Sequence, residues 1–262
     1  MYKSLRTNLP KPTMELKDFP LPEDAPSFMT WETVYKYIQG YVKHLEKHIK
    51  FLHNVILVSR EQNAWKVKYQ NVITGERFEE EFDFVFIGTG HFNKPNYPDI
   101  PEEELFTGTI IHSHDYKERD RYKDRRVLIV GAGPSGLDIA INVVNVAKTL
   151  VHSHHFRAPL KTVFPENYIR KPDIKEFSAT GVVFEDGSYE DIDDVIYCTG
   201  YQYYYPFLDK SCGVEWNQEC VKPLHKCIVN INQPTMLFLG CISRACLFLA
   251  LDAQVRQDML RR

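Results

Sequence analysis

Apolar positions in the opening stretch of the chain are broken up by Pro10, Pro12, Pro20, Pro22 and Pro26, which forbid a long helix or a central strand before Phe28. From Thr30, a helix-capping residue type, the pattern changes. Val34, Ile38, Tyr41, Leu45 and Ile49 recur at spacings of three and four, which predicts one helix ending near Ile49. Strand-like runs follow at Asn54–Ser59 and Ala64–Tyr69. A turn at Thr74-Gly75 leads into a long strand pattern that closes on EFDFVFIGTG, residues 81–90, before Pro95, Pro98 and Pro101 interrupt the chain again.

From Arg125 the segment RRVLIVGAGPSGLDIAINVVNVAKTLVHSHH reads as buried strand, glycine loop, helix and second strand. In GVVFEDGSYEDIDDVIYCTGY, Asp186-Gly187 signals a hairpin, and a further buried strand ends at Thr199-Gly200. FDFVFIGTG and DDVIYCTG resemble one another: an acidic residue leads an apolar strand that closes on Thr-Gly. Coincidence among hairpins is one account. The other is an α/β chain carrying two nucleotide-binding modules of one architecture.

Composition narrows the class. The chain has 262 residues, 44% of them hydrophobic and 26% charged, enough for one large domain or two modest ones. Its net charge of −3 gives no support for a nucleic-acid or anionic-membrane partner. No apolar run approaches the roughly 18 residues of a membrane span, and the first residues lack the apolar middle of a secretory signal. Cys198, Cys212, Cys220, Cys227, Cys241 and Cys246 form no C-x-x-C pair, so they read as reduced thiols, with Cys198 as strand filler.

The chemistry concentrates in Gly131-x-Gly133-x-x-Gly136, directly after Val127–Val130 and directly before a helix. In that setting the first glycine permits the turn, the second lets backbone approach a pyrophosphate, and the third lets helix and strand pack closely. The helix N-terminus adds free N–H groups and partial positive charge, placing Ser135, Leu137 and Asp138 in the first turns beside the ligand. An NAD-preferring fold places an acidic residue at the end of the second strand. Here no Asp or Glu occurs between Asp138 and Glu166, and the segment offers Ser153, His154, His155 and Arg157 instead. A guanidinium suits a 2′-phosphate, so Arg157 points to NADP(H); His154 and His155 read as a solvated polar loop.

Phe106-x-Gly108-x-x-x-His112-x-x-x-Tyr116, with the glycine loop beginning 15 residues after Tyr116, resembles the fingerprint of the flavin-containing monooxygenase family. Tyr116 at the last position favours its N- and S-oxygenating branch over the Baeyer–Villiger branch. YKSLRTNLPKPTMELKDFPLPEDAPSFM, CTGYQYYYPFL, PLHKCIVNINQPTMLFLG and DAQVR are similar to further family segments, with the overall look of its insect members. The resemblance implies two Rossmann-like dinucleotide-binding domains, the NADP domain (105–208) inserted in a discontinuous FAD domain (1–104 and 209–262). The family begins with its own glycine loop for FAD. The only glycines before Pro95 are Gly40, Gly75, Gly88 and Gly90, so the expectation is a chain whose N-terminal part of the FAD domain is missing, with an exposed sheet edge.

By the same resemblance, NADPH reduces FAD, the flavin activates O2, and a nucleophilic nitrogen or sulfur of a small amine or sulfide takes up oxygen. Placement is cytoplasmic or associated with the endoplasmic reticulum. Asn8 matches the family asparagine beside flavin and NADP, flanked by Thr7 and Leu9; without the resemblance it reads as an ordinary turn residue. Thr89 and Thr199 mark strand ends facing the cofactors, and Gln254 approaches the flavin. No metal site is read. Two readings stay open: an FAD- and NADPH-dependent oxygenase, and an inactive fragment or NADP-binding relative without flavin. A flavin disulfide reductase would need a redox-active cysteine pair, which the sequence lacks.

Overall fold

Thr30 sets the first helix: its side chain accepts a hydrogen bond from the Thr33 amide, a cap for the otherwise unpaired first turn. The computed structural model describes residues 1–155, 162–242 and 245–259. In chain order its elements are α1 (Trp31–Val42), β1 (His53–Glu61), β2 (Ala64–Asn71), β3 (Arg77–Phe82), β4 (Val85–Ile87), β5 (Lys94–Pro95), β6 (Thr109–His112), β7 (Arg126–Val130), α2 (Pro134–Val143), β8 (Thr149–Ser153), β9 (Tyr168–Lys171), β10 (Ile174–Phe177), β11 (Gly181–Phe184), β12 (Tyr189–Asp191), β13 (Asp194–Tyr197), β14 (Tyr201–Gln202), β15 (Glu215–Trp216), β16 (Val221–Lys222), β17 (Leu224–His225), β18 (Val229–Asn230), β19 (Met236–Phe238) and α3 (Leu247–Met259). They divide into unit one, residues 1–5 and 95–200, and unit two, residues 6–94 and 201–262.

Unit one is built on a fully parallel five-stranded sheet in the order β6-β13-β7-β8-β9. Parallel strands with both faces covered read as continuous apolar runs, and the run from Val127 to Val130 divides in that way. Val127 and Ile129 pack with Ile139, Ala140 and Val143 of α2 on one face. Leu128 packs on the other with Val151, Val195 and the antiparallel sheet β10-β11-β12, through Phe177, Val182 and Phe184. The Asp186-Gly187 turn joins β11 to β12, with Gly187 at φ +78°. At the N-terminal end of the sheet the Arg126 guanidinium donates to Asp193 at 2.6 Å and Arg125 pairs with the buried Asp194, tying β7 to the entry of β13. Gly108 is required for packing, because a Cβ there would stand 2.5 Å from the Asp193 carbonyl oxygen. The α/β dinucleotide-binding architecture expected from the sequence is therefore present in this unit.

Unit two holds the antiparallel sheet β1-β2-β3 and a four-stranded sheet β17-β18-β19-β4, in which β19 and β4 run parallel. Trp65, Ile87, Tyr205, Met236 and Phe238 form its main core; Leu21, Met29 and Tyr37 form a second cluster. Two expectations are corrected. The helix predicted to reach Ile49 stops at Val42 and continues as 3-10 turns over Lys43–His48, because Leu45 and Ile49 find no core and remain exposed. The long strand pattern ending at Gly90 is two strands, β3 and β4, which part at Asp83-Phe84 and join different sheets. β4 lies at the end of its sheet beside a groove of about 500 Å3 lined by Val55, Phe82, Phe84, Phe86 and Thr89. No described helix is long and apolar enough to cross a membrane.

Candidate functional site

The glycine loop of unit one is shaped by three different demands. Gly131 sits at φ +98°, a region that favours glycine, and a Cβ on it would meet the Cys198 carbonyl oxygen at 2.7 Å. A Cβ on Gly136 would stand 2.0 Å from the Gly131 carbonyl oxygen, so the first turn of α2 rests directly on the loop. Gly133 is different: its φ is −68°, and a Cβ there would meet nothing within 4 Å. The space over Gly133 is open while its two partners are packed, which is the form of a cradle that backbone alone can line.

Gly133 is also the N-cap of α2, with no side-chain cap, and Pro134 occupies the first helical position. The N–H groups of Ser135 and Gly136 belong to the first turn, where an α-helix supplies no partner of its own. With the helix dipole behind them, such N–H groups are suited to a pyrophosphate. Leu137 closes the turn by donating its N–H to the Gly133 carbonyl at 3.0 Å. Ser135 is exposed, whereas Asp138 accepts a hydrogen bond from the Tyr2 hydroxyl, so its carboxylate is engaged within unit one. Burial and this carboxylate both push the Tyr2 phenol up.

The end of β8 frames the other side of the loop. The Gly131 N–H donates to the Ser153 carbonyl at 2.9 Å, and the Ser153 hydroxyl donates to the Pro172 carbonyl. His152 is 0% exposed, with Nε2 3.0 Å from the Gly131 carbonyl oxygen and Nδ1 3.0 Å from the Tyr168 hydroxyl. Burial holds its basicity below that of an ordinary imidazole, against the opposing pull of the Gly131 carbonyl. The reading of His154 as solvated loop is corrected: it is 4% exposed, its ring 5.0 Å from that of His152 and edge-on to it. Burial, then the charges of His152 and Arg170, bring it down to about 4. His155 is exposed, as expected. Arg157 lies outside the described residues. Lys171, next on β9, is occupied by Glu190 at 2.8 Å.

Thr199 follows β13 beside the loop, its backbone N 3.8 Å from where a Gly131 Cβ would stand, and its hydroxyl donates to the Asn96 carbonyl. Cys198 ends just beyond β13 rather than within it; burial raises its thiol to about 12, so it is an inert filler. The structure thus brings Gly131, Gly133, Ser135, Gly136, Leu137, Asp138 and Thr199 together. Thr7, Asn8 and Leu9 belong to unit two, as do Thr89 and Gln254. There the Thr7 hydroxyl accepts from the Met29 N–H at 3.1 Å, and Asn8 is exposed in a bend. Thr89 lines the groove beside β4, and the buried Gln254 accepts from the Gly240 N–H at 3.1 Å. Among the described residues no cluster of His, Cys, Asp or Glu could hold a metal ion. Sequence reasoning missed His152, for which a histidine in an otherwise apolar strand, VHS, was the available signal.

A family model described as "FMO-like: Flavin-binding monooxygenase-like" matches residues 1–168 and 161–258. Senecionine N-oxygenase of Tyria jacobaeae is 41% identical over 249 residues, covering 91% of this chain and 54% of that protein. Trimethylamine monooxygenase of Pelagibacter ubique (strain HTCC1002) is 29% identical, covering 97% of this chain and 59% of that protein. Among solved structures, Tmm from Pelagibacter sp. strain HTCC7211 superposes with a TM-score of 0.91 at 27% identity, covering all of this chain and 62% of that one. S-allyl-L-cysteine S-oxygenase from Allium sativum gives a TM-score of 0.88 at 30% identity, with 97% and 61% covered. The chain spans little more than half the length of the curated relatives it matches.

Proposed function

The chain belongs to the flavin-binding monooxygenase-like family, and from that membership we propose that its glycine loop holds NADP(H) for an FAD- and O2-dependent oxygenation of a nucleophilic nitrogen or sulfur in small amines or sulfides. The observation that carries the reading is the loop itself, where Gly131 and Gly136 are packed and Gly133 lies open at the N-terminus of α2. These residues fit a dinucleotide pyrophosphate. Gly133 admits it, the Ser135 and Gly136 N–H groups are available to it, and the sequence from β8 to Glu166 supplies no carboxylate to repel a 2′-phosphate. When bound, NADPH supplies hydride. The chain's contribution is to hold the dinucleotide in one pose against β7 and β13. Arg157 is the residue proposed for the 2′-phosphate, and Asn8, between Thr7 and Leu9, for the flavin side of the site.

For FAD, unit two offers the strand end Gly88-Thr89-Gly90 and the groove beside β4, but no glycine loop. The alternative reading is NADP binding without turnover. Two measurements separate the possibilities. Titration with NADPH and NADH should show Arg157→Ala weakening NADPH about tenfold while NADH changes less than about twofold; an equal loss for both discards the 2′-phosphate role. A visible flavin band retained after incubation with FAD and desalting supports the oxygenase reading. Folded protein with no band supports NADP binding alone.

A further inference from the structure

We infer that His152 is the residue that positions the glycine loop, holding Gly131 so that the first turn of α2 presents its N–H groups to a dinucleotide; the ligand in this inference rests on the NADP(H) reading above. A backbone carbonyl only accepts, so at 3.0 Å from the Gly131 oxygen His152 Nε2 carries the proton. Nδ1 is then the acceptor, and the Tyr168 hydroxyl 3.0 Å away is its donor. A single neutral tautomer satisfies both contacts. The Gly131 N–H meanwhile donates to the carbonyl of Ser153, the next residue of β8. The first glycine of the loop is therefore held at its N–H by β8 backbone and at its C=O by a β8 side chain.

That carbonyl also bounds the seat of α2, because a Cβ on Gly136 would lie 2.0 Å from the same oxygen. Any rotation of the Gly131–Ala132 peptide moves the surface on which the helix begins, and with it the direction of the Ser135 and Gly136 N–H groups. An apolar side chain at position 152 would fill the space and leave the carbonyl without the His152 donor, a cost that reorienting the peptide would relieve. His152 touches no reacting atom in this role; it acts through the loop.

The test compares His152→Leu with His152→Gln, whose amide can still donate to Gly131 and accept from Tyr168. Two readouts apply: deuterium exchange of the backbone amides over 131–137 without ligand, and the NADPH dissociation constant. In His152→Leu, exchange over 131–137 should quicken about tenfold and NADPH affinity fall about tenfold, with His152→Gln within about threefold of wild type in both. Loop exchange unchanged in His152→Leu, or a loss in His152→Gln as large as in His152→Leu, overturns the inference. If wild type takes up no NADPH while exchange still separates the two variants, the NADP(H) reading fails and the hold of His152 on the loop stands. Should His152→Leu not fold, Tyr168→Phe removes only the hydroxyl donor. Exchange over 131–137 rising about threefold supports the inference, and unchanged exchange overturns it.

Discussion

Three glycines within six residues do three separable jobs, and substitution distinguishes them. Gly136→Ala forces a methyl to within 2.0 Å of the Gly131 carbonyl oxygen, so urea denaturation should show a loss of about 2 kcal/mol or more. Gly133→Ala adds its methyl to open space at φ −68°, and stability should change by less than about 1 kcal/mol while NADPH affinity falls about tenfold. The same NADPH affinity in Gly133→Ala and wild type would show that the open face is not the ligand's. His154 gives this end of the site a pH signature. Its folded-state value of about 4 lies below the ordinary 6.5, so the unfolded chain takes up this proton first. The stability that neutral His154 contributes is complete above about pH 6.5 and is lost as pH falls toward 4, with a ceiling of about 3 kcal/mol. His154→Phe keeps the ring and removes the titration. Between pH 7.5 and 4.5 its unfolding free energy should fall by about 1–2 kcal/mol less than that of wild type, measured by urea denaturation at both values.

β4 is a three-residue strand with one neighbour among the described residues, β19, and it lies beside an apolar groove. Phe86 is 56% exposed there, and an unpaired strand edge beside contiguous apolar surface invites association. Wild type should bind a hydrophobic dye such as ANS and associate as concentration rises. Phe86→Lys should lower both by about half or more with stability changed by less than about 1 kcal/mol, as light scattering and denaturation would show. Unaltered dye binding in Phe86→Lys would place the adhesive surface elsewhere. The same strand shows where sequence reading stops. The strand pattern from Phe82 to Ile87 is interrupted in the sequence only by Asp83, and the pairing of β3 with β2 and of β4 with β19 reveals that it serves two sheets. Likewise Leu45 and Ile49 continue the spacing of α1 but face solvent, since periodicity records what a helix could bury and not what lies opposite. The module β7–loop–α2–β8 was legible because its signals are local: apolar strand, glycine spacing, helix. His152 was not, because its partner Tyr168 lies sixteen residues on and its other contact is to backbone, which no residue pattern encodes.

For the whole molecule, the division into two units puts the glycine loop in one and the intrinsic optical probe in the other. Trp31, Trp65 and Trp216 are the only tryptophans of the chain, and all three lie in unit two, with Trp65 fully buried in its core. The glycine loop and the sheet that carries it lie in unit one, which has its own cores on both faces of the parallel sheet. A ligand that binds only the native state stabilises the cooperative unit that holds it, by about 2.7 kcal/mol at one hundred times its dissociation constant. Each unit has a separate hydrophobic core, so each is expected to unfold as its own cooperative body. NADP+, which does not absorb at the reduced nicotinamide wavelength, should then shift the part of the far-UV circular dichroism transition that belongs to unit one to higher urea. The tryptophan emission transition should stay within error of its ligand-free midpoint. A tryptophan transition that moves by the same amount would show that the two units unfold as one body and that dinucleotide binding is felt through the whole chain.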